Sequence, residues 1–283
     1  MHIVYIHQHF CTNEGSSGTR SLDVSRHLAS MGHDVTMICG VLDVGGFQMA
    51  PWYKPFRRLR MEGFDVILCN VLYSSHQGFV GRFASFCWFA VLAAIAACFL
   101  VRRPDVVFAT HTPLTVGVPG YVAARVRRVP FIFEVRDLWP ESDVISGNLR
   151  EGSPVERMLA LLEWFLYRKA DQILLVSPGF EKRLIERGYN PAKMRSILLG
   201  ADGDIFLEIT PNQELRKELG LEGKTIAVSG VGPGLGGEIV AAALRDGANV
   251  VLGARNVDRL REVAASLDPG GDRTLAQHLD ICD

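Results

Sequence analysis

Short β-rich apolar runs alternate with helical patterns along nearly the whole chain. The runs HIVYIH, DVTMICG, FDVILCNV, PDVVFATH, PFIFEVRD, DQILLVS and MRSILLG, then TIAVSGVG and ANVVLGAR, are separated by turns and helix-like stretches. Nearly continuous apolar strands interleaved with helices predict parallel sheet covered by helices on both faces. The expected class is α/β, a Rossmann-like parallel-sheet domain followed by a partial βαβαβ Rossmann unit. The polar segment ITPNQELRKELGLEGK, Ile209–Lys224, carries the Pro, Asn, Gly and mixed charges of a surface connection. It divides the chain into a domain over 1–210, a linker over 211–223 and a smaller unit over 224–283.

One helical stretch departs from the pattern. FASFCWFAVLAAIAACFLV, Phe83–Val101, runs for 19 residues without a charge, between Arg82 and the pair Arg102 and Arg103. Length and flanks fit a membrane span. The runs before and after it read as neighbouring parallel strands of one sheet, so the helix must return to that sheet. Two roles stay open. Its six alanines suit a buried crossover helix. Its aromatic side, Phe83, Phe86, Trp88 and Phe89, suits a membrane interface beside the basic residues Lys54, Arg57, Arg58 and Arg60.

Composition narrows the classes further. The chain has 283 residues, 48% hydrophobic and 22% charged, with a formal net charge of -1. That is a globular composition without the global basic footprint of a nucleic-acid partner. Six cysteines without CxxC spacing predict buried free thiols in a reducing compartment, and Cys39, Cys69, Cys87 and Cys98 lie in apolar runs. The opening MHIVYIHQHF lacks the cationic, apolar and small-residue order of a secretory leader, so a cytoplasmic location is expected.

Candidate chemistry clusters at strand ends. The first strand leads into a small-residue loop, Gly15 to Gly18, and then a helix over Ser21–Met31 beside Arg20. Backbone N–H groups at such a helix start favour an anion. Two later strands end in His111 with Thr112 and in Arg136 with Asp137. Ligands of open parallel sheets bind beyond the carboxyl ends of strands, where these residues would converge with the loop. The alternatives are a capping His111 and a structural Arg136–Asp137 pair.

The segments EGSSGTR, PDVVFATHTPL, FEVRDLWPES, LEWFLYRKADQILLVSPGFEKRLIERGY and GADGDIF occur in this order. Together they resemble the N-terminal half of family 4 retaining glycosyltransferases of the GT-B architecture, close to amino-sugar transferases of O-antigen and capsule assembly. The resemblance covers about residues 1–222. It implies an acceptor-side domain facing a second domain that holds a nucleotide sugar, with a polyprenyl-linked or polysaccharide acceptor and peripheral contact with the inner membrane face. It also implies that Gly15, Gly18 and Arg20 approach the donor phosphates, and that Arg136 and Asp137 lie near the reacting sugar or its acceptor; His111, from its strand end, is a catalytic candidate beside them. LLGADGDIF departs from the family by placing Leu199 before Gly200, where an Asn is usual.

Beyond Lys224 the pattern changes. The paired glutamates that hold the donor in that family do not follow. Instead Ser229, Gly230, Gly234 and Gly236 resemble the TGxxxGxG loop of short-chain dehydrogenases/reductases, with Ser for Thr, between a strand and a helix over Glu238–Asp246. Glycines there permit the sharp turn and close approach to a pyrophosphate. Arg255, after the second strand, suits a 2′-phosphate, so the resemblance implies NADP rather than NAD. Asp280 matches that family's contact to adenine. The Tyr and Lys of reductase chemistry are not found after this loop, the last tyrosine being Tyr189. The sequence therefore predicts a transferase-like chain joined to an NADP-binding unit, inactive by itself as a transferase, or alternatively a non-catalytic NADP-binding fusion.

Overall fold

The computed structural model describes residues 1–15, 18–42, 45–74, 76–147, 149–198, 220–231 and 235–279. The chain divides into two compact units, Met1–Asp202 and Gly203–Asp283. Ser16, Ser17, Gly234, Asp280 and most of the linker lie outside the described residues.

Unit 1 is built on an eight-stranded sheet. In chain order its elements are β1 (His2–Ile6), α1 (Arg20–Ser30), β2 (Asp34–Leu42), β3 (Phe56–Met61), β4 (Phe64–Tyr73) and α2 (Phe79–Ile95). There follow β5 (Val106–Thr110), α3 (Gly117–Arg127), β6 (Phe131–Val135), α4 (Glu141–Ile145), α5 (Pro154–Lys169), β7 (Gln172–Leu175), α6 (Pro178–Glu186) and β8 (Met194–Ser196). The strand order is β3-β4-β2-β1-β5-β6-β7-β8. Every neighbouring pair is parallel except β3 with β4.

β3 corrects the expectation of a purely parallel sheet. Its sequence FRRLRM has no fully buried position and exposes all three arginines, as suits a polar antiparallel edge strand. The arginines that read as a basic run are its outward and edge-facing positions.

Both faces of the sheet are covered. One carries Tyr5, Leu22, Met37, Cys39, Phe64 and Phe108, from β1, α1, β2, β4 and β5. The other buries Ile6, Ile38, Cys69, Phe89, Ala93, Ala97, Phe133 and Leu166 against α2, α3 and α5. Small residues allow this packing: a Cβ on Gly120 of α3 would lie 2.7 Å from the Phe131 ring and 2.8 Å from Ala109. Helix starts carry their own signals, as at α5, where Ser153 Oγ accepts from Glu156 N at 3.2 Å ahead of Pro154.

α2 is a crossover helix. It leaves β4, packs Phe89, Leu92, Ala93 and Ala96 into the core, closes with a π turn over Ala96–Leu100 and delivers the chain to β5 in the same sheet. It is nevertheless long and apolar enough to cross a membrane over Val80–Leu100. Cys11, Cys39, Cys69 and Cys98 are buried, as expected; Cys87 is exposed on α2, contrary to expectation, because it lies opposite the helix's core side.

Unit 2 consists of β9 (Thr225–Ser229), α7 (Leu235–Arg245), β10 (Asn249–Ala254), α8 (Val257–Leu267) and β11 (Thr274–His278). Its three strands are parallel in the order β11-β10-β9. Val228, Val240, Leu244, Val250, Leu252 and Leu260 form one core beneath the helices. Thr225, Ala227 and Ser229 leave the other face of β9 exposed.

Candidate functional site: the switch point of the large sheet

The order of the large sheet reverses between β1 and β5, because α1 carries the chain from β1 to one side and α2 brings it back to the other. The crevice beyond the carboxyl ends of these strands is where open α/β sheets bind ligands. The residues that follow β1, β5 and β6 meet there: His7, Gln8 and His9; His111; and Arg136 with Asp137.

Beneath the crevice runs a buried polar chain. Arg20, in the first turn of α1, places Nη2 2.8 Å and Nε 3.1 Å from Glu134 Oε1. Thr110 Oγ1 donates to Glu134 Oε2 at 2.8 Å and lies 3.0 Å from Tyr5 Oη. Tyr5 Oη is 3.2 Å from Ser21 Oγ, which in turn is 2.8 Å from His7 Nδ1. The chain ties β1, β5, β6 and α1 together at their functional ends and uses the Arg20 charge on Glu134.

Above it the groups are free of such partners. His111 is 1% exposed, and neither ring nitrogen has a hydrogen-bond partner; the same holds for His9 Nε2. The His111 ring meets Trp139 and Phe133 edge-on at centroid distances of 5.9 and 6.5 Å. The His9 ring lies 4.2 Å from that of Tyr73. Burial, aided by the Arg136 charge and by His9, holds the His111 imidazole down to about 3, and burial holds His9 down to about 4. Burial and the same Arg136 charge hold His7 well below its ordinary value. All three are neutral near pH 7.

Arg136 and Asp137 are both half-buried. Among the described residues no ion pair joins them, which removes the alternative of a structural pair. His111 is likewise no cap, since its ring nitrogens bond nothing and only its backbone N–H is engaged, with Glu134 O at 2.9 Å. Gly15 donates its N–H to Thr12 O at 3.0 Å, and Gly18 is exposed with open space where a Cβ would stand.

A cavity of about 240 Å³ adjoins the crevice, lined by Tyr73, Arg82, Phe83, Phe86, Thr115 and Trp139 among others. Arg82 Nε and Thr115 Oγ1 are buried in that region without hydrogen-bond partners. It combines aromatic walls with two unused polar groups. Larger hollows, of about 520 and 690 Å³, lie beside His2 and Asp34 at the amino ends of strands and between α5 and Tyr189. Volume alone therefore does not locate the site; topology and unpaired polar groups do.

In unit 2, β9 and α7 flank the glycine segment, the strand and helix expected on either side of it, while residues 232–234 lie outside the described residues. Gly230 has φ +77°, and a Cβ on Gly236 would lie 2.8 Å from Gly230 O and 2.9 Å from Val231 Cα. Only glycine fits that approach of helix start to strand end. Ser229 and Arg255 are exposed, Arg255 directly after β10. Gly234 and Asp280 lie outside the described residues.

A doubly wound α/β domain with polar groups left open at its switch point is the form of a ligand-binding domain. Comparison of sequences identifies the kind: residues 15–200, more than half of the chain, match the model of the Glycosyl transferase 4-like domain, and the chain belongs to that family. Two curated proteins match shorter stretches. Glycine betaine reductase ATRR of Emericella nidulans is 35% identical over 63 residues, and short chain dehydrogenase/reductase dpmpG of Macrophomina phaseolina is 41% identical over 64. Each match takes in 22% of this chain and only 5% and 37% of those proteins. Among solved structures, Anabaena HepE in complex with UDP-glucose is 16% identical with a TM-score of 0.46, over 99% of this chain and 69% of that one. WaaG, a glycosyltransferase involved in lipopolysaccharide biosynthesis, is 13% identical with a TM-score of 0.46, over 99% and 70%.

Proposed function

We propose that unit 1 is the acceptor-side half of a GT-B glycosyltransferase that passes a sugar from a nucleotide sugar to a polyprenyl-linked or polysaccharide acceptor. One observation carries this: in a unit of the glycosyl transferase 4-like family, the switch-point crevice holds buried polar groups left unpaired, both His111 nitrogens and His9 Nε2, with the half-buried Arg136 charge beside His111. Transfer from a nucleoside diphosphate needs a cation where negative charge grows on the departing diphosphate, and an acceptor group near the incoming hydroxyl. Arg136 suits the first need and Asp137 the second. Neutral His111 orients a sugar hydroxyl, and the loop bearing Gly15 and Gly18 lies at the donor phosphates. Arg20 acts there indirectly, by fixing α1 to Glu134. The aromatic cavity at Tyr73, Phe83 and Trp139, with Arg82 beside it, suits the neck and phosphate of a polyprenyl carrier. Such an acceptor places the work at the cytoplasmic face of a membrane.

Residues 224–283 resemble a dinucleotide-binding start in sequence and carry no paired donor-binding glutamates, so these 283 residues alone are expected to turn over little sugar. The test is binding of a polyprenyl-diphosphate sugar to the whole chain, followed by thermal shift. Stabilisation that Arg136→Ala abolishes supports the reading. Equal binding by wild type and Arg136→Ala, or no binding by either, overturns it, and rapid UDP release from UDP-sugars would overturn the expected idleness.

A second reading rests on the Gly236 contact and on the two dehydrogenase or reductase matches. In it unit 2 binds NADP, with the glycine turn and the start of α7 at the pyrophosphate and Arg255 at the 2′-phosphate. When bound, such a cofactor supplies hydride chemistry, for which this unit offers no Tyr–Lys pair.

A further inference from the structure

The hollow of about 690 Å³ beside Tyr189 opens between α5 and the turn after α6, toward the amino ends of β7 and β8. It therefore lies at the opposite end of the sheet from the crevice. One stripe of α5 forms its first wall, Ala160, Trp164, Tyr167 and Arg168, spaced as neighbours on one helical face. Ile173, Arg187, Tyr189 and Lys193 close the other side. Aromatic rings supply the apolar surface: Trp164 is 47% exposed, and the Tyr167 and Tyr189 rings meet edge to face at a centroid distance of 5.3 Å.

The charges around the hollow decide what it can hold. Lys193 Nζ donates to Arg168 O at 3.1 Å and to Ala170 O at 2.8 Å, which caps the end of α5. Arg187 meets Glu163 at 2.7 Å and Glu141 at 3.6 Å. Two carboxylates on Arg187 and the carbonyl end of a helix on Lys193 leave little positive field for a phosphate or another anion. The Arg168 and Arg187 guanidinium groups lie over the Trp164 and Tyr189 rings, at 5.0 and 5.6 Å from the centroids. Cations on both rings leave no place there for a cationic guest.

What this region lacks is a hydrogen-bond donor. Glu163 belongs to the same α5 stripe, between Ala160 and Tyr167, and its side chain is 0% exposed. Its Oε2 accepts from Arg187, while Oε1 has no partner. A buried acceptor left open costs about 1–3 kcal/mol, and a ligand hydroxyl entering beside Arg187 would recover it. An uncharged ring with apolar C–H faces and a rim of hydroxyls fits all of these features. Its faces suit Trp164 and Tyr189, and its hydroxyls suit Glu163 and the guanidinium N–H groups.

We propose that this hollow is a second binding site, for the neutral pyranose rings of an oligosaccharide, held on Trp164 and Tyr189 with one hydroxyl on Glu163 Oε1. It shares no residue with His9, His111, Arg136 and Asp137 of the crevice. The inference stands on the rings and the unpaired carboxylate oxygen and is independent of the transferase reading.

Saturation-transfer NMR on the whole chain with maltotetraose and with chitotetraose tests it. Transfer to ring C–H protons is expected for at least one of the two, with a dissociation constant of roughly a millimolar. Trp164→Ala should weaken binding by roughly tenfold or more, and Trp164→Phe should restore part of it. Trp164 is exposed, so both variants should melt with wild type. Glu163→Met should also weaken binding; if that chain melts early, the Trp164 pair decides. Arg136→Ala, which alters only the crevice, should bind as wild type does. No transfer to either tetrasaccharide overturns the proposal. So does binding that Trp164→Ala leaves unchanged or that Arg136→Ala abolishes. Tighter binding of ADP that Trp164→Ala removes would make the hollow an anion site and overturn it as well.

Discussion

Arg20 and Glu134 form an almost fully enclosed ion pair across the functional edge of the sheet, with Nη2–Oε1 at 2.8 Å and side-chain exposures of 17% and 3%. Glu134 also accepts from Thr110, so its carboxylate is satisfied on both oxygens. Removing the cation alone leaves a buried carboxylate with one neutral partner. Arg20→Met is expected to destabilise unit 1 by about 2–4 kcal/mol, and Glu134→Gln in the same chain to restore part of it. Urea unfolding of the single and double variants measures the coupling. Equal stability of wild type and Arg20→Met would show the pair to be incidental.

A second buried carboxylate makes a parallel case. Glu163 of α5 has a fully buried side chain and meets Arg187 Nη2 at 2.7 Å, while its Oε1 has no partner. Burial pushes the Glu163 carboxyl up despite that contact. Arg187→Leu should cost about 2–3 kcal/mol, below the usual figure for a broken buried pair because Arg187 is 28% exposed. Adding Glu163→Leu should recover most of the loss, since a well-packed apolar pair replaces the ions. A double variant no better than the single one would place the energy in packing instead.

The three histidines of the crevice give a pH signature. His9 and His111 are held at about 4 and about 3, and His7 well below its ordinary value, against about 6.5 in an unfolded chain. The unfolded chain therefore takes up protons first as pH falls. Their stabilisation is complete above about pH 6.5 and drains as pH falls from there through about 4 for His9 and about 3 for His111, the stretch from about 6.5 to 5 lying above the carboxylate range. Urea midpoints followed by tryptophan fluorescence should decline across that window, and His9→Phe should flatten the slope. A midpoint that rises as pH falls from about 6.5 to 5 would refute neutral burial.

Much of the fold was legible because apolar strands of an α/β sheet announce themselves. Each of the nine apolar runs became a strand, β1, β2, β4 to β8, β9 and β10. β3 escaped because an antiparallel edge strand needs no apolar run: FRRLRM buries little and carries three arginines. The crevice was half legible. His111, Arg136 and Asp137 stood out as polar residues ending apolar strands, and the structure brings their strand ends together. His7 and His9 carried the same signal in HQHF after β1, where it was overlooked. The Arg20–Glu134 contact was hidden, because residues 114 positions apart meet only when β1, β5 and β6 are adjacent. Whether α2 faces core or solvent was not decidable from a composition apolar on every side.

The last prediction concerns unit 2, where two substitutions separate fold from ligand. A Cβ at Gly236 would meet backbone, Gly230 O at 2.8 Å and Val231 Cα at 2.9 Å, and backbone cannot swing aside as a side chain does. Gly236→Ala should therefore loosen the β9–α7 turn, seen as faster amide exchange over β9 and β10, and abolish any NADPH binding with it. Arg255 is exposed directly after β10, so Arg255→Asp should leave exchange protection unchanged. If Arg255 meets the 2′-phosphate, that variant should reverse the preference from NADPH to NADH, read by fluorescence titration, since an acidic group there binds ribose hydroxyls and repels phosphate. An Arg255→Asp chain that keeps the wild-type preference would remove Arg255 from the cofactor site, and wild type that binds neither dinucleotide would leave the glycine turn a purely structural device.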